Sequence, residues 1–191
     1  KKLNRIDKVY LGGRYMDEQY KQLKELKDYK NVKIIKTDRW KYKPSLDEIN
    51  KKEKSLIKFV RYIFKILKPL EKYIIEDSST LLGVLRKQKL AYFSDLDFSV
   101  DQNKMKNIYK LLKKKNTKYS IEVKKYPRNI LNFKKGEINQ IIISEKCNLI
   151  LREPNILDFS AEKRKGDYYL KYNGSDIISK IPNKFRIKFI K

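Results

Sequence analysis

An α+β fold is what this sequence predicts, and three patterns predict it. A long amphipathic helical pattern occupies residues 45–68. A second helical stripe follows, carried by Met105, Ile108, Tyr109 and Leu112. After Asn116 the chain changes to short strand-like runs separated by polar turns. Helices first and strands afterwards is the order of an α+β domain, not of an alternating one. A length of 191 residues suits one sizeable domain, or one domain with an appendage. Residues 1–44 are accordingly read as an N-terminal extension or the tail of a preceding domain, and residues 45–191 as the main domain.

Taken in order, Lys8 to Leu11 reads as a strand and Gly12-Gly13 as a turn. Tyr15 to Asp28 reads as a helix and Asn31 to Lys36 as a strand, a β-α-β-like start. Ser45 and Glu48 have capping-box spacing ahead of the long helix. Its stripe includes Ile49, Leu56, Val60, Ile63 and Leu67, read as core, and Pro69 ends or kinks it. Lys72 to Glu76 is a short strand, Asp77 to Thr80 a polar turn, and Leu81 to Lys87 a helical piece. Phe93 to Val100 is a strand, and Asp101 caps the next helix. Six further strands are expected at 119–125, 130–133, 138–144, 148–151, 156–159 and 168–172, with a basic turn at Lys163 to Asp167.

Composition excludes several function classes. Hydrophobic residues make up 40% of the chain and aromatics 12%, which is too much for a disordered chain despite 37% charged residues. No apolar run is long enough to span a bilayer; the best, Leu56 to Leu67, is broken by Lys58, Arg61 and Lys65. No apolar stretch follows Lys1-Lys2-Leu3-Asn4-Arg5, so no secretory signal is read and a cytoplasmic location is expected. The chain begins without an initiator Met, consistent with a piece of a longer protein. One cysteine, Cys147, permits no internal disulfide and is read as a small buried residue. The complete absence of histidine removes Ser-His-Asp and Cys-His catalysis and the commonest zinc ligands. A metal site must then use oxygen ligands, which favours Mg²⁺ or Mn²⁺.

A net charge of +25 points to an anionic partner: nucleic acid, nucleotide or phosphorylated glycan. The basic residues run through the whole chain and not in one arm, a pattern that AT-biased coding also produces.

Chemistry concentrates between Asp77 and Val100. Asp95 and Asp97 stand at i and i+2, so on a strand they share a face with Cα atoms roughly 6–7 Å apart. Two carboxylates so placed repel each other, and one Mg²⁺ relieves the repulsion. Upstream, Ser79 and Thr80 lie in a hydroxyl-rich turn between a strand and a short helix, suited to phosphate. Gly83 permits close backbone approach, and Arg86 can pair bidentately with phosphate oxygens.

Ser79-Thr80-Leu81-Leu82-Gly83-x-x-Arg86, followed by Asp95-x-Asp97, resembles the LicD/fukutin-type transferases. These belong to the polymerase-β-like nucleotidyltransferase superfamily. Tyr73 to Glu76 occupies the place of the strand that leads into the motif. Val84 stands where many superfamily members carry serine, which favours the LicD branch. The resemblance implies a mixed sheet flanked by helices and a third carboxylate on a later strand, for which Asp158 has the right apolar setting.

Asp95, Asp97 and Asp158 are thereby implied as catalytic metal ligands, and Ser79, Thr80, Gly83 and Arg86 as donor-phosphate contacts. The implied reaction moves a phospho-alcohol, such as phosphocholine or ribitol phosphate, from a CDP-activated donor to a glycan hydroxyl. Two alternatives stay open. One is transfer of NMP from an NTP to RNA, protein or a small molecule; the other is a non-catalytic basic binding protein. Oligomeric state is not readable.

Overall fold

The computed structural model describes residues 8–12, 33–37, 45–89, 95–145, 155–172 and 178–182. The chain divides into two compact units, Lys1–Lys52 with Lys146–Pro154, and Glu53–Glu145 with Asn155–Lys191. In the first unit, β1 (Lys8–Gly12) and β2 (Lys33–Thr37) pair in parallel, Lys8 opposite Lys33. Parallel pairing needs a long crossover, as a β-α-β start requires. The helix expected at 15–28 lies outside the described residues, as do the strand expected at 148–151 and Cys147.

Helix α1 (Leu46–Leu67) begins where Ser45 was expected to cap it, with Ile49 N–H donating to the Ser45 carbonyl at 3.0 Å. Pro69 does not stop the chain from coiling. It enters a 3₁₀ helix, Lys68–Tyr73, at a first-turn position where its missing N–H costs nothing. The strand expected from Lys72 is therefore shorter: β3 is Ile74–Glu76. Helix α2 (Ser78–Leu85) starts three residues before the predicted helical piece. The serines and Thr80 read as a turn form its first turn instead. The strand predicted from Phe93 is described from Leu96 as β4 (Leu96–Asp101). Asp101 does cap helix α3 (Gln102–Lys115), accepting from Asn103 N–H at 3.1 Å.

The remaining strands are β5 (Ser120–Lys125), β6 (Ile138–Ser144), β7 (Ile156–Lys165), β8 (Tyr168–Tyr172) and β9 (Ile178–Pro182). The strand expected at 130–133 is a tight turn: Ile130 and Phe133 exchange backbone bonds of 3.0 and 2.9 Å around Leu131, whose φ is +50°. The turn at Gly166-Asp167 leaves Lys163 to Lys165 inside β7, which is longer than the 156–159 run expected. Apolar periodicity ends at Ala161, but backbone pairing with β8 continues through the charged residues.

Seven strands form one mixed sheet in the order β3-β4-β7-β6-β5, with β8 joined to β7 and β9 to β8. The β4–β7 pair is parallel and the others antiparallel. This is the α+β architecture with a mixed sheet. Register aligns Leu96, Phe98 and Val100 with Leu157, Phe159 and Ala161. Ile141 and Ile143 fall opposite Phe159 and Leu157. All of these are buried beneath α1 and α3, which contribute Phe59, Ile63, Leu67, Met105, Ile108 and Leu112. Phe98 and Phe159 stack at 5.2 Å between ring centres, with Phe64 tilted against both. Among the described residues no helix is long and apolar enough to cross a membrane.

Candidate active site

Strand alternation that buries one face of the sheet builds a polar row on the other. On β4 the row is Asp97, Ser99 and Asp101, continued backwards by Asp95 at the bend before the strand. On β7 it is Asp158, Ser160 and Glu162. The parallel register sets Asp97 beside Asp158, Ser99 beside Ser160, and Asp101 beside Glu162. Neighbouring strands lie about 4.8 Å apart. Two carboxylates in register at that spacing, in a partly buried setting, repel strongly.

Asp158 registers the repulsion. Burial, then the Asp97 charge, push its carboxyl up to about 6 from the ordinary 3.8, and Asp95 adds to the effect. The Lys171 ammonium and a hydrogen bond from the Gln140 amide oppose it. Gln140 Nε2 donates to Asp158 Oδ2, and Ser160 Oγ donates to Oδ1 at 3.4 Å. Both carboxyl oxygens are thus oriented by strands β6 and β7.

Asp97 is held by its backbone. Its N–H donates to Thr80 Oγ1 at 2.6 Å, and its carbonyl accepts from Asp77 N–H at 3.0 Å. The start of α2 therefore grips one residue of β4 from both sides. Thr80 is buried, and its hydroxyl oxygen serves this clamp. Asp77 makes a second tie: its Oδ2 accepts from Ser99 Oγ at 2.5 Å and from Lys171 Nζ at 2.5 Å.

No protein-family model, curated protein or solved structure is significantly similar to this chain.

Asp97 and Asp158 stand side by side in register with Asp95 just before the strand, whereas Thr80, expected as a phosphate contact, is buried and its hydroxyl oxygen is taken by the Asp97 N–H. Gly83 lies further along α2, buried. Arg86 closes the far end of that helix, exposed, about 9 Å along the axis from Thr80. There Gln88 N–H bonds to the Gly83 carbonyl at 3.0 Å and Lys87 N–H to Val84 at 3.1 Å, a Schellman ending with Lys87 at φ +53°. Ser79 sits in the first turn of α2, and its side chain lies outside the described residues.

Three contributors escaped the sequence reading. Gln140 and Lys171 come from distant strands, and in so lysine-rich a chain nothing marks one lysine as special. Asp77 carried a usable signal, a carboxylate immediately before a helix start. Among the described residues, no group of three or more acidic, cysteine or histidine side chains is gathered tightly enough to hold a metal unaided.

Proposed function

We propose that this protein is a metal-dependent transferase that moves a phospho-alcohol, such as phosphocholine or ribitol phosphate, from a CDP-activated donor to a glycan hydroxyl. The observation that supports the reading is the in-register pair Asp97–Asp158 with Asp95 one pleat away. Repelling carboxylates on a rigid sheet destabilise the fold unless a cation or proton occupies the gap. The donor set is all oxygen, which suits Mg²⁺ or Mn²⁺. Mg²⁺ is commonly held by one or two carboxylates, with substrate phosphates and water completing its shell. A site short of three gathered ligands is consistent with that habit.

Asp95 and Asp97 would hold the metal, with Asp158 as a further ligand or as the base. When bound, the metal supplies neutralisation of charge on the donor diphosphate. The residues do the rest. The acceptor hydroxyl oxygen attacks the phosphorus that bears the alcohol, the P–O bond to the CMP unit breaks, and CMP departs. Asp158 takes the hydroxyl proton, and a carboxylate near 6 is a better base at neutral pH than an ordinary one. The start of α2 fixes Asp97 through Thr80, while Ser79 and Arg86 are the proposed donor-phosphate contacts; Gly83, expected as a third, is buried within α2 with its carbonyl bonded to Gln88 N–H.

The decisive experiment incubates the protein with Mg²⁺ and either CDP-alcohols or α-labelled NTPs. CMP release with phospho-alcohol transfer supports the proposal, whereas labelled NMP transfer reassigns the site to nucleotidyl transfer. Asp97→Ala should lower turnover by roughly a hundredfold to a thousandfold or more, the loss typical of removing one preorganised electrostatic group. Its melting temperature should stay near that of the wild type. Turnover unchanged in Asp97→Ala would end the enzymatic reading.

A further inference from the structure

The helix layer on the opposite face of the sheet carries an unusual charge distribution. Lys54, Lys58, Arg61, Lys65, Lys68 and Lys72 recur at alternating intervals of four and three residues. All six are exposed. At 100° per residue Lys54, Lys58, Arg61, Lys65 and Lys68 keep to one narrow stripe along α1, roughly 21 Å long, and Lys72 lies about a third of a turn off it in the 3₁₀ helix. On α3, Lys106, Lys110 and Lys113 repeat the pattern, also exposed.

The two helices cover the same sheet face, and the segment that follows α3 packs on α1: Phe59 and Tyr62 contact Tyr119 at 4.5 and 5.3 Å, and Thr117 N–H donates to the Tyr62 hydroxyl at 3.3 Å. Lysines also lie over the tyrosine rings of this layer, Lys118 on Tyr62 at 5.0 Å and Lys104 on Tyr73 at 4.7 Å.

The charge of this layer is more one-sided than that of the chain as a whole. Residues 53–72 and 102–119 hold 13 Lys and Arg against two acids, Glu53 and Glu71, while the whole chain has 48 against 23. A solvated helix face in a biased composition would mix signs, because pairs of opposite charge at i,i+4 stabilise and like pairs destabilise. Glu71 does pair with Lys68, at 3.1 Å, but α3 has no acid at all. The layer therefore pays a repulsion that a polyanion would relieve.

We propose that the outer surface of α1 and α3 binds the phosphate backbone of single-stranded RNA. A membrane surface is the weaker fit. Interfacial helices insert a large apolar face, and Ile57, 39% exposed, is the one large hydrophobic among the exposed residues of these two segments. A single strand is flexible enough to follow a basic track on helices with its phosphates neutralised along it. Recognition of this kind is independent of sequence and strongly dependent on salt. It does not rest on the acid cluster, which faces the other way, so Asp97→Ala should bind RNA like the wild type.

The test is fluorescence anisotropy of the full chain with a labelled single-stranded RNA of about 20 nucleotides. Six phosphate contacts predict a slope of about −4 in log K against log salt. The quadruple variant Lys58→Glu, Arg61→Glu, Lys65→Glu, Lys106→Glu should lose at least about a hundredfold in affinity at about 100 mM salt. Its slope should flatten by about 3. The matching glutamine variant should lose less and guards against misfolding. A control reversal of Lys124, Lys125, Arg164 and Lys165, all exposed and off this layer, should change affinity severalfold at most. Equal losses in both reversal sets would overturn the proposal, because the charge would then act diffusely. So would undiminished binding by the helix variant, or a preference for phosphatidylserine vesicles over RNA at equal charge.

Discussion

The two faces of strands β4 and β7 share a backbone and differ in every other respect. On one, Phe98 and Phe159 stack beneath α1 and α3 and are fully buried. On the other, the same strands set Asp97 beside Asp158 and close the row with serines and Glu162. The first face stabilises by removing apolar surface from water. The second opposes folding, since carboxylates are held together where solvent screening is poor. A sheet that tolerates such a face must be secured by the other, and active sites often carry that kind of local cost.

The largest expected effect breaks the apolar face. Phe159→Ala removes a ring that touches Phe98 and Phe64 and leaves a cavity in the middle of the sheet. It should cost about 3–5 kcal/mol, read as a lower denaturant midpoint at unchanged slope. A loss below about 1 kcal/mol would mean that the face is not the anchor.

Next is the tie between the polar face and β8. Lys171→Met leaves Asp77, 12% exposed, without its ammonium partner at 2.5 Å. Breaking one side of a buried pair typically costs about 3–5 kcal/mol, and the lower end fits here because the Ser99 hydroxyl remains bonded to the same oxygen. Urea unfolding of Lys171→Met against the double variant Lys171→Met, Asp77→Leu separates the two explanations. Recovery in the double variant assigns the cost to the stranded charge; no recovery assigns it to lost packing by the lysine stem.

How far the sequence revealed these faces depends on range. Alternation in Leu96-Asp97-Phe98-Ser99-Val100 is local, so the strand and its core residues were legible, although β4 begins one residue after Asp95. The helix start after Ser45 and the cap at Asp101 were legible for the same reason. The pairing of β4 with β7 is a contact between residues some sixty positions apart, and only the family resemblance pointed to Asp158. Gln140 and Lys171 had no local signal whatever. Where local reading erred, a tertiary bond had intervened: Asp77 to Thr80 looked like a turn, yet Thr80 is drawn into a helix whose first turn holds Asp97. The basic stripe on α1 was visible in its spacing, but a whole-chain view of charge averaged it away.

The third expected effect is a gain. Asp158 binds its proton more tightly in the folded state than at the ordinary 3.8. Below that pH both states are protonated and no penalty exists. As pH rises from there the unfolded chain ionises first, so stability falls, and the penalty is complete above about 6. Two pKa units correspond to on the order of 3 kcal/mol. With chelator present, Asp158→Asn should be more stable than the wild type at pH 7.5 by up to that amount, and equal to it near pH 4. Thermal melts at both pH values check this, and an advantage that did not vary with pH would assign it to packing instead.

The smallest effect sharpens the same point. Gln140 donates to Asp158 Oδ2 from the neighbouring strand and so favours the ionised carboxylate. Gln140→Leu removes the donor and keeps the bulk, so the Asp158 carboxyl should move further upward, by about one unit at most, if the lost bond is worth about 1 kcal/mol. Carboxyl ¹³C shifts followed against pH would report it directly. In the Lys171→Met variant the titration should move the same way and further, because the ammonium opposes the Asp97 repulsion more than the amide does. If neither substitution moves the midpoint, neither partner acts on Asp158. Asp97→Asn then separates burial from the neighbouring charge: it should lower the midpoint, and a midpoint left unmoved would make the in-register carboxylate a neighbour without electrostatic consequence.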